Sequence, residues 1–388
     1  MPNIDKICLF GGSFSNPNRG VNALTYGAIE QIVALLNADM IYMITRNREN
    51  KVEKYIIGKK IISIKIIGIT RKSLIKNLLN ISTPNKEENL RKILHKCEYY
   101  FSINEGDSYS DIYSKGRFIF IFLYNHLLMN ISKKSYILPQ TIGPFKNIIF
   151  KKLAVSQLRR FRKIFVREDY ANMHIKNSDI YYEIASDLSG SMKTKRVQLE
   201  LPNKFIGINI SGLLYFNEYE ALKGKYCNYR IFLTHLVDFF LNNDLNLMFI
   251  PHTYSTKIKF ADDDLEATLS FIDKNYKICS NIKVINKEYT AQELKYIISQ
   301  SDLFIGSRMH SCYASLFSGV PTVGLSYSPK FKASFRVFGV QDCVFEMDSI
   351  QKNEINENIE IIKNIYLNRS HYTQIIKSNK FIPINIKK

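Results

Sequence analysis

The sequence contains no tryptophan, and its six cysteines stand far apart without any Cys-x-x-Cys pair. Disulfide-rich secreted domains and zinc ribbons depend on closely spaced cysteines, so both classes are excluded. No apolar run reaches the roughly 20 residues needed to cross a bilayer. The longest run, residues 118–129, is interrupted by Asn125 and His126, and the N-terminus lacks the apolar core of a signal peptide. These absences predict a cytoplasmic protein with reduced thiols.

Well-known catalytic and nucleotide-binding motifs are also missing. The chain has no GxSxG, no HExxH, no GxxxxGK[S/T] and no GxGxxG after a predicted strand. Serine hydrolases, zinc metalloproteases and P-loop proteins depend on such patterns for their chemistry. The second predicted strand ends in Thr45-Arg46-Asn47, without the acidic residue that would bind a ribose, so NAD binding is not expected.

Acidic residues are scarce relative to basic ones. There are 35 Asp and Glu against 54 Lys and Arg, and 54 − 35 gives a formal net charge of +19. Such a charge concerns partners rather than fold, and nucleic acid, an anionic membrane surface and anionic small molecules would all match it. The basic residues are spread along the chain, and neither a zinc knuckle nor an aromatic RNA-binding motif is present. Nucleic acid is therefore not an expected partner.

What the sequence does contain is short apolar runs that alternate with segments of helical length. Its 388 residues, 46% of them hydrophobic, suffice for two domains with cores of their own. The alternation covers residues 7–166 and restarts after a change of composition at 190–204. It predicts an α/β protein with parallel sheets and helices on both faces. We expect one Rossmann-like domain over 1–195, a second over 205–345, and a helical tail over 346–388 that packs back on the domains.

A glycine-rich loop, residues 11–20, connects the first predicted strand to a helix. A glycine such as Gly12, followed by a small residue such as Ser13, lets backbone N–H groups approach an anion at a helix N-terminus. The same composition is also typical of an ordinary strand-to-helix connection.

Two more polar loops follow predicted strands. Residues 104–111 contain Asp107 and Asp111, carboxylates that lie where a general base would be useful, because ligands bind beyond the carboxyl ends of parallel strands. Such residues are equally favoured in loops that cap helices. In residues 138–145, two prolines and a glycine predict a stiff turn, with Gln140 available for a ligand contact.

The most informative segment is residues 301–321, where a predicted strand is followed by Ser307, Arg308, Met309 and His310 at the start of a helix. A cation, the helix dipole and free N–H groups converge there and predict an anion site. The helix dipole disfavours the protonated form of His310, so the ring is expected to be neutral in the empty site. A bound anion would favour protonation and let the residue act as an acid. The alternative is a helix start with a surface arginine and a partly buried histidine.

Two other segments carry a weaker signal. Asp262, Asp263 and Asp264 resemble an Asp-x-Asp metal site, but acidic residues in the first turn of a helix are commonly favoured by the dipole alone. We therefore predict no metal. Residues 251–254, which include His252, follow a predicted strand and fit either a substrate contact or a plain loop.

Together these segments resemble the polysaccharide pyruvyl transferase family. The resemblance spans about residues 5–335, in the family's order. It is carried by residues 11–24, 105–111, 138–145, 166–169, 185–187, 308–310, Ala314, 319–321 and 327–330. The succession Arg-x-His, Gly-x-Pro and Tyr-x-x-Lys in the last segments is its most specific part.

The resemblance implies a GT-B-like fold, with two Rossmann-like domains facing each other across a cleft. It implies transfer of the pyruvyl group of phosphoenolpyruvate to a sugar of a cell-surface polysaccharide precursor, forming a cyclic ketal without a cofactor or an essential metal. The first domain would bind the acceptor, which we expect to be a lipid-linked oligosaccharide, and the second would bind the donor. The expected location is the cytoplasm. With a lipid-linked acceptor, peripheral attachment to the inner face of the membrane is expected as well.

By the same resemblance, His310 is the general acid that protonates the enol carbon, Arg308 clamps the donor anions, and Lys330 is a second cation for them. Asp107 or Asp111 would accept the proton of the attacking hydroxyl. Donor contacts are expected from Gly12, Ser13, Ser307, Arg308, Met309, His310 and Lys330, and acceptor contacts from Asn18, Asp107, Asp111 and Gln140.

Two other functions fit the same sequence. A GT-B glycosyltransferase that uses a nucleotide sugar is the main alternative, because its fold and anion site would serve a diphosphate. A basic surface-binding protein without catalytic activity is the other, and its binding would weaken steeply with salt.

Overall fold

The computed structural model describes residues 6–46, 49–79, 90–106, 109–131, 134–168, 172–175, 178–218 and 224–386. The chain divides into two compact units. The first contains residues 1–15, 24–192 and 381–388, and the second contains 16–23 and 193–380. This division differs from the predicted domains in two places. Residues 16–23 belong to the second unit, and the tail is divided between the two units.

The first unit is built on one sheet. Its strands are β1 (Ile7–Phe10), β2 (Met40–Thr45), β3 (Asn50–Ile57), β4 (Lys60–Gly68), β5 (Tyr99–Ser102), β6 (Ser135–Gln140), β7 (Lys163–Val166) and β8 (Glu183–Ile184). Their order is β3-β4-β2-β1-β5-β6-β7-β8. All neighbours are parallel except β3 and β4, which form an antiparallel hairpin at the edge around Gly58, a residue with a positive φ of 61°. β1 is buried at all four residues because it lies in the middle of the sheet.

Helices cover both faces of this sheet. They are α1 (Arg19–Leu36), α2 (Arg71–Leu78), α3 (Leu90–His95), α4 (Lys115–Ile131), α5 (Ile148–Leu158) and α6 (Asn172–Ile175). Alternate residues of β1 enter different cores: Cys8 and Phe10 pack with α2, α3, α4 and α5, whereas Ile7 and Leu9 pack with α1. Two buried faces are what a parallel sheet requires.

The second unit is built on a fully parallel sheet. Its strands are β9 (Ile206–Asn209), β10 (Leu247–Phe249), β11 (Ile282–Val284), β12 (Leu303–Gly306), β13 (Thr322–Ser326) and β14 (Val344–Glu346), in the order β11-β10-β9-β12-β13-β14. Its helices are α7 (Gly212–Phe216), α8 (Tyr229–Leu241), α9 (Asp264–Asn275), α10 (Ala291–Ile298), α11 (Met309–Leu316), α12 (Lys330–Arg336), α13 (Ile355–Leu367) and α14 (Arg369–Ser378). Each unit therefore has the Rossmann-like alternation that the sequence predicted.

The predicted tail follows two separate apolar patterns. In α13, Ile355, Ile359, Ile362 and Ile365 recur at helical spacing and are buried in the main core of the second unit. Beyond α14 the chain rejoins the first unit, where the Ile384 backbone N–H donates to Gln31 Oε1 at 2.9 Å. The tail is therefore an integral part of two cores rather than an appended helical segment.

Residues 16–23 belong to the second unit because their backbone pairs with the loop after β10. Asn18 forms a bridge with Thr253, and the Arg19 N–H donates to the His252 carbonyl oxygen at 3.0 Å. Across the described residues, no helix combines the length and the apolar character required to cross a bilayer.

Candidate active site

Most of the predicted donor residues lie at one edge of the six-stranded sheet. β10, β9, β12 and β13 are parallel neighbours, so their carboxyl ends meet at the same edge. The loops that follow three of them carry His252, residues 307–310 and Lys330. This is the edge at which open parallel sheets bind ligands.

Asn209, the last residue of β9, fixes the turn between β12 and α11. Its side-chain oxygen accepts hydrogen bonds from the Arg308 backbone N–H at 2.9 Å and from Ser311 Oγ at 3.1 Å. Ser307 is completely buried, and its hydroxyl lies 2.7 Å from that of Tyr229. The predicted Ser307 contact is thus an internal one that holds the turn.

The Arg308 side chain is buried and paired with carboxylates. Its Nε and Nη2 donate to Asp264 Oδ1 at 3.0 and 2.8 Å, and Nη2 also donates to the Asp262 carbonyl oxygen at 2.7 Å. Burial alone would lower the pKa of Arg308, but the adjacent carboxylates, with Asp264 foremost, raise it overall. Arg308 is therefore neither the surface arginine of the alternative interpretation nor an arginine with all its donors available to a ligand.

Asp264 is the centre of this arrangement, and its side chain is completely buried. Besides Arg308, it accepts hydrogen bonds from the backbone N–H groups of Gly212 at 3.0 Å, His252 at 3.1 Å and Thr253 at 2.9 Å. One carboxylate thus connects the loops that follow β9, β10 and β12. Sequence analysis missed this pairing because 44 residues separate Asp264 from Arg308.

Sequence analysis predicted that the helix dipole favours the acidic run at a helix start, and Asp263 lies there as a capping residue. It is the N-cap of α9, and its Oδ1 accepts from the Leu265 N–H at 2.8 Å and the Glu266 N–H at 3.1 Å. Burial raises its pKa. In the described part of the chain, no cluster of His, Cys, Asp and Glu is arranged to hold a metal ion.

His310 is the second residue of α11, and its half-buried ring lies against Gly20. A Cβ placed on Gly20 would be only 2.6 Å from His310 Nδ1, so the close approach depends on glycine at this position. The ring of Tyr313, one turn further along α11, meets the imidazole edge-on with 5.8 Å between centroids. The glycine-rich loop therefore helps to position His310 through the packing of Gly20 against its ring.

His252 is the residue whose position sequence analysis left open. It is 2% exposed, and its Nδ1 has no hydrogen-bond partner among the described residues. Its pKa lies well below the ordinary value, first because of burial and then because of the nearby positive charges of His310, Arg19 and Arg308. His252 is thus a buried neutral imidazole within the electrostatic reach of the candidate acid.

Arg19 was not singled out by the sequence, yet it anchors the residue 16–20 loop in the second unit. Its Nε donates to the Tyr289 carbonyl oxygen at 2.9 Å, its Nη2 pairs with Glu288, and its guanidinium lies 4.8 Å from the centre of the Tyr254 ring. Burial alone would raise the pKa of Glu288, but hydrogen bonds from Thr256 and the charge of Arg19 lower it overall.

The remaining donor residues divide between the units. Lys330 begins α12 and is 8% exposed, and the Met309 sulfur accepts a hydrogen bond from Ser334 Oγ at 3.3 Å. Gly12 and Ser13, by contrast, belong to the first unit, where the Ser13 N–H donates to Thr25 Oγ1 at 2.9 Å. Of the predicted donor residues, Ser307, Arg308, Met309, His310 and Lys330 therefore belong to the second unit, whereas Gly12 and Ser13 do not.

The predicted acceptor residues are placed differently from expectation. Gln140 is completely buried, and its amide bonds to Asn104, Ser102 and Leu138, which places it in the interior rather than on an acceptor-facing surface. Both carboxylate oxygens of Asp111 accept backbone N–H groups, from Lys146 at 2.7 Å and Asn147 at 2.8 Å.

Two further acceptor predictions have other outcomes. Asn18 belongs to the second unit, and its Oδ1 accepts from the Gly20 N–H at 2.9 Å at the start of α1. Asp107 lies outside the described residues.

Solved structures with a similar fold include a trehalose 6-phosphate synthase and a UDP-GlcNAc 2-epimerase. The α,α-trehalose 6-phosphate synthase of Burkholderia multivorans aligns over 98% of this chain and 96% of its own, with a TM-score of 0.53 and 8% identity. The UDP-GlcNAc 2-epimerase of Methanocaldococcus jannaschii aligns over 92% and 93%, with a TM-score of 0.55 and 11% identity. At such identity the likeness concerns the fold alone, and it confirms the predicted GT-B-like α/β class.

Sequence comparison points to one family. No curated protein sequence matches the chain. The polysaccharide pyruvyl transferase family model matches residues 18–329, a range that contains the Asn18 loop, the Asp264–Arg308 pair and His310. Because that match covers most of its length, the chain belongs to the polysaccharide pyruvyl transferase family.

Proposed function

We propose that this transferase moves the pyruvyl group of phosphoenolpyruvate onto two hydroxyls of a sugar in a cell-surface polysaccharide precursor, forming a cyclic ketal. The proposal includes a lipid-linked acceptor at the inner face of the membrane, which agrees with the net charge of +19. The observation that carries it is the convergence of residues 307–310, Lys330 and His252 at the carboxyl edge of the six-stranded sheet, within a chain of this family.

The chemistry needs an acid and cations. The imidazolium of His310 gives its proton to C3 of phosphoenolpyruvate, and the electrons of the C2–C3 double bond form the new C–H bond. One sugar hydroxyl attacks C2, and the second hydroxyl then displaces the phosphate, so two C–O bonds form while the bond from C2 to the phosphate oxygen breaks. One hydroxyl proton restores the imidazolium, and the other leaves with inorganic phosphate.

Within this mechanism we give Arg308 a positioning role, which changes the clamp inferred from sequence. Its guanidinium already pairs with Asp264 and Asp262, so it stabilises the first turn of α11 from which His310 extends. Lys330, at the start of α12 after the neighbouring strand β13, is the cation that we assign to the donor phosphate or carboxylate. The buried neutral His252 adds no positive charge that would oppose protonation of His310.

The first test separates proton transfer from donor binding. We expect His310→Gln to lower kcat by roughly 10²–10⁴-fold with little change in the KM for phosphoenolpyruvate, because general acid catalysis typically contributes that much. Lys330→Met is the matched variant, and it should mainly raise that KM. Phosphate release against a panel of lipid-linked glycans is the measurement. In the wild type, kcat should fall at high pH as the donor-bound imidazolium deprotonates, and His310→Gln should remove this dependence.

A folded His310→Gln enzyme with near-normal kcat would remove the acid from this mechanism. The glycosyltransferase alternative is separated by the products. A pyruvyl transferase consumes phosphoenolpyruvate and releases inorganic phosphate, whereas a nucleotide-sugar enzyme releases a nucleotide and adds a glycosyl unit to the acceptor. Mass spectrometry of the acceptor, with each donor supplied alone, decides between the two.

A further inference from the structure

The first unit contains a cavity at the carboxyl edge of its own sheet. The cavity has a volume of about 240 Å³ and is lined by Arg46, Ile69, Thr70, Arg71 and Phe120. Arg46 follows β2, and Ile69 and Thr70 follow the neighbouring parallel strand β4. The cavity therefore occupies the position at which an open parallel sheet binds its ligand.

The charges around this cavity do not balance. Glu105, in the short turn that follows β5, accepts two hydrogen bonds from Arg46, at 2.8 and 2.7 Å, and also pairs with Arg117. Arg71 makes no hydrogen bond or ion pair within the described part of the chain. Among these described residues, three guanidinium groups and one carboxylate leave two positive charges, and Arg46 and Arg71 line the cavity directly.

The guanidinium of Arg71 has a defined place despite its exposure. A Cβ on Gly116 would lie 2.6 Å from Arg71 Nη2, so the group packs against the backbone at the start of α4 and relies on the absence of a side chain there. Arg71 is also the first residue of α2, whose N-terminal N–H groups add a positive potential on the same side. The excess charge is therefore held in position at the cavity.

The chemistry of the lining selects the ligand. Guanidinium groups bind phosphate oxygens in a planar, bidentate manner, and two excess positive charges match a diphosphate better than a single carboxylate. Ile69 and Phe120 add apolar surface next to these groups. The volume lies below the roughly 300 Å³ at which pockets for whole drug-sized ligands begin, so the cavity suits a diphosphate group rather than an entire oligosaccharide.

We propose that the Arg46–Arg71 cavity binds the diphosphate of the acceptor, a sugar linked through a diphosphate to a lipid. The acceptor assignment rests on the proposed function, whereas binding of a diphosphate does not. A nucleoside diphosphate would present the same group, so the two sources need to be separated by experiment.

The test uses the absence of tryptophan. Ile75 lies one turn after Arg71 in α2 and is 47% exposed, so Ile75→Trp places the chain's single tryptophan beside the cavity without disturbing a core. In this background, inorganic pyrophosphate should change the emission, and Arg71→Gln should weaken the binding about tenfold, because it removes a charge-assisted contact. Arg71→Lys should retain part of the affinity. Lys72→Gln is the matched control, because it makes the same charge change at the next position, which is also exposed. It should leave the affinity for pyrophosphate nearly unchanged.

No phosphoenolpyruvate is present, so this titration can fail or succeed independently of the proposed reaction. The site is overturned if Arg71→Gln binds pyrophosphate as tightly as its parent, or if Lys72→Gln loses as much. Farnesyl diphosphate and UDP then distinguish the sources. Tighter binding of farnesyl diphosphate supports the lipid-linked acceptor, and tighter binding of UDP overturns that assignment.

Discussion

Each unit contains one buried arginine paired with two carboxylates, but the two clusters differ in exposure. In the first unit, Arg167 contacts Glu168 and Asp187 at 2.9 Å each, and none of the three side chains is more than 1% exposed. In the second unit, Arg308 and Asp264 are 2.8 Å apart, while Asp262, at 3.4 Å from Arg308, is 27% exposed. The first cluster is sealed, and the second opens at one side.

The partners of the two clusters differ as well. Arg167 donates to Thr141 at 2.9 Å, and Asp187 accepts from Ser189 N–H and Oγ, so the sealed cluster connects buried segments of the first unit. The open cluster connects the loops that carry His252 and His310. Similar ion pairs can therefore stabilise a core in the first unit and position loops at the edge of a sheet in the second. What distinguishes them is the loops that they connect, not their composition.

The largest expected effect comes from removing each arginine. Arg167→Met and Arg308→Met should each lower the free energy of unfolding by about 3–5 kcal/mol, because each leaves a buried carboxylate without its counter-charge. Urea denaturation measures this. At a temperature where both variants are folded, only Arg308→Met should change phosphoenolpyruvate turnover. Equal kinetic losses in the two variants would abolish the distinction between the clusters.

A smaller effect is expected from adding one methyl group to each unit. A Cβ on Gly27 would lie 1.7 Å from the Leu188 carbonyl oxygen, so Gly27→Ala should cost about 1–3 kcal/mol of stability through a backbone clash. On Gly20 the Cβ would lie 2.6 to 2.8 Å from side-chain atoms of His310, which is a milder clash than the one with the Leu188 backbone. Gly20→Ala should therefore lower kcat with a smaller loss of stability.

Thermal denaturation and initial rates on both glycine variants provide the measurement. A Gly20→Ala enzyme with unchanged kcat would show that the position of His310 does not depend on the close packing at Gly20.

The smallest effect concerns pH and the buried His252 of the second unit. Burial and neighbouring cations depress the pKa of His252 in the folded state, so the unfolded chain binds one proton more between the folded pKa and about 6.5. The stability from keeping His252 neutral is complete above about pH 6.5 and is lost as the pH falls below it, by up to about 1.4 kcal/mol per pH unit.

His252→Gln should flatten this slope, measured as urea denaturation between pH 7 and pH 5. The difference between the two slopes belongs to His252, so a variant with the wild-type pH dependence would show that His252 takes up its proton as readily in the folded protein as in the unfolded chain.

The sequence predicted regular elements well where local pattern decides them. β1 and β2 coincide with the apolar runs at residues 7–10 and 40–45, α8 coincides with the apolar segment 229–241, and Thr290 and Glu293 form a capping box, since apolar periodicity and capping are properties of neighbouring residues. β3 was missed because it is an exposed edge strand that alternates charged and apolar residues without a buried run.

The candidate site was predicted only in part, for a related reason. The family motif led to His310, but the partners of Arg308 and the pairing of Arg19 with His252 join residues far apart in the chain. Local pattern carries no information about such contacts. For the same reason Gln140 was predicted as a ligand contact although the sheet buries it.

The assignment of residues 16–23 to the second unit and 381–386 to the first has a consequence for how the protein acquires its structure during translation. The first unit lacks Ile384 and Ile386, which complete one of its cores, until the whole second unit has been synthesised. Conversely, the loop against His310 is made well before its partners in the second unit, which emerge more than two hundred residues later. Neither unit can complete its core before the other has been made, so the two units should reach their native cores together, once residues 381–386 have emerged.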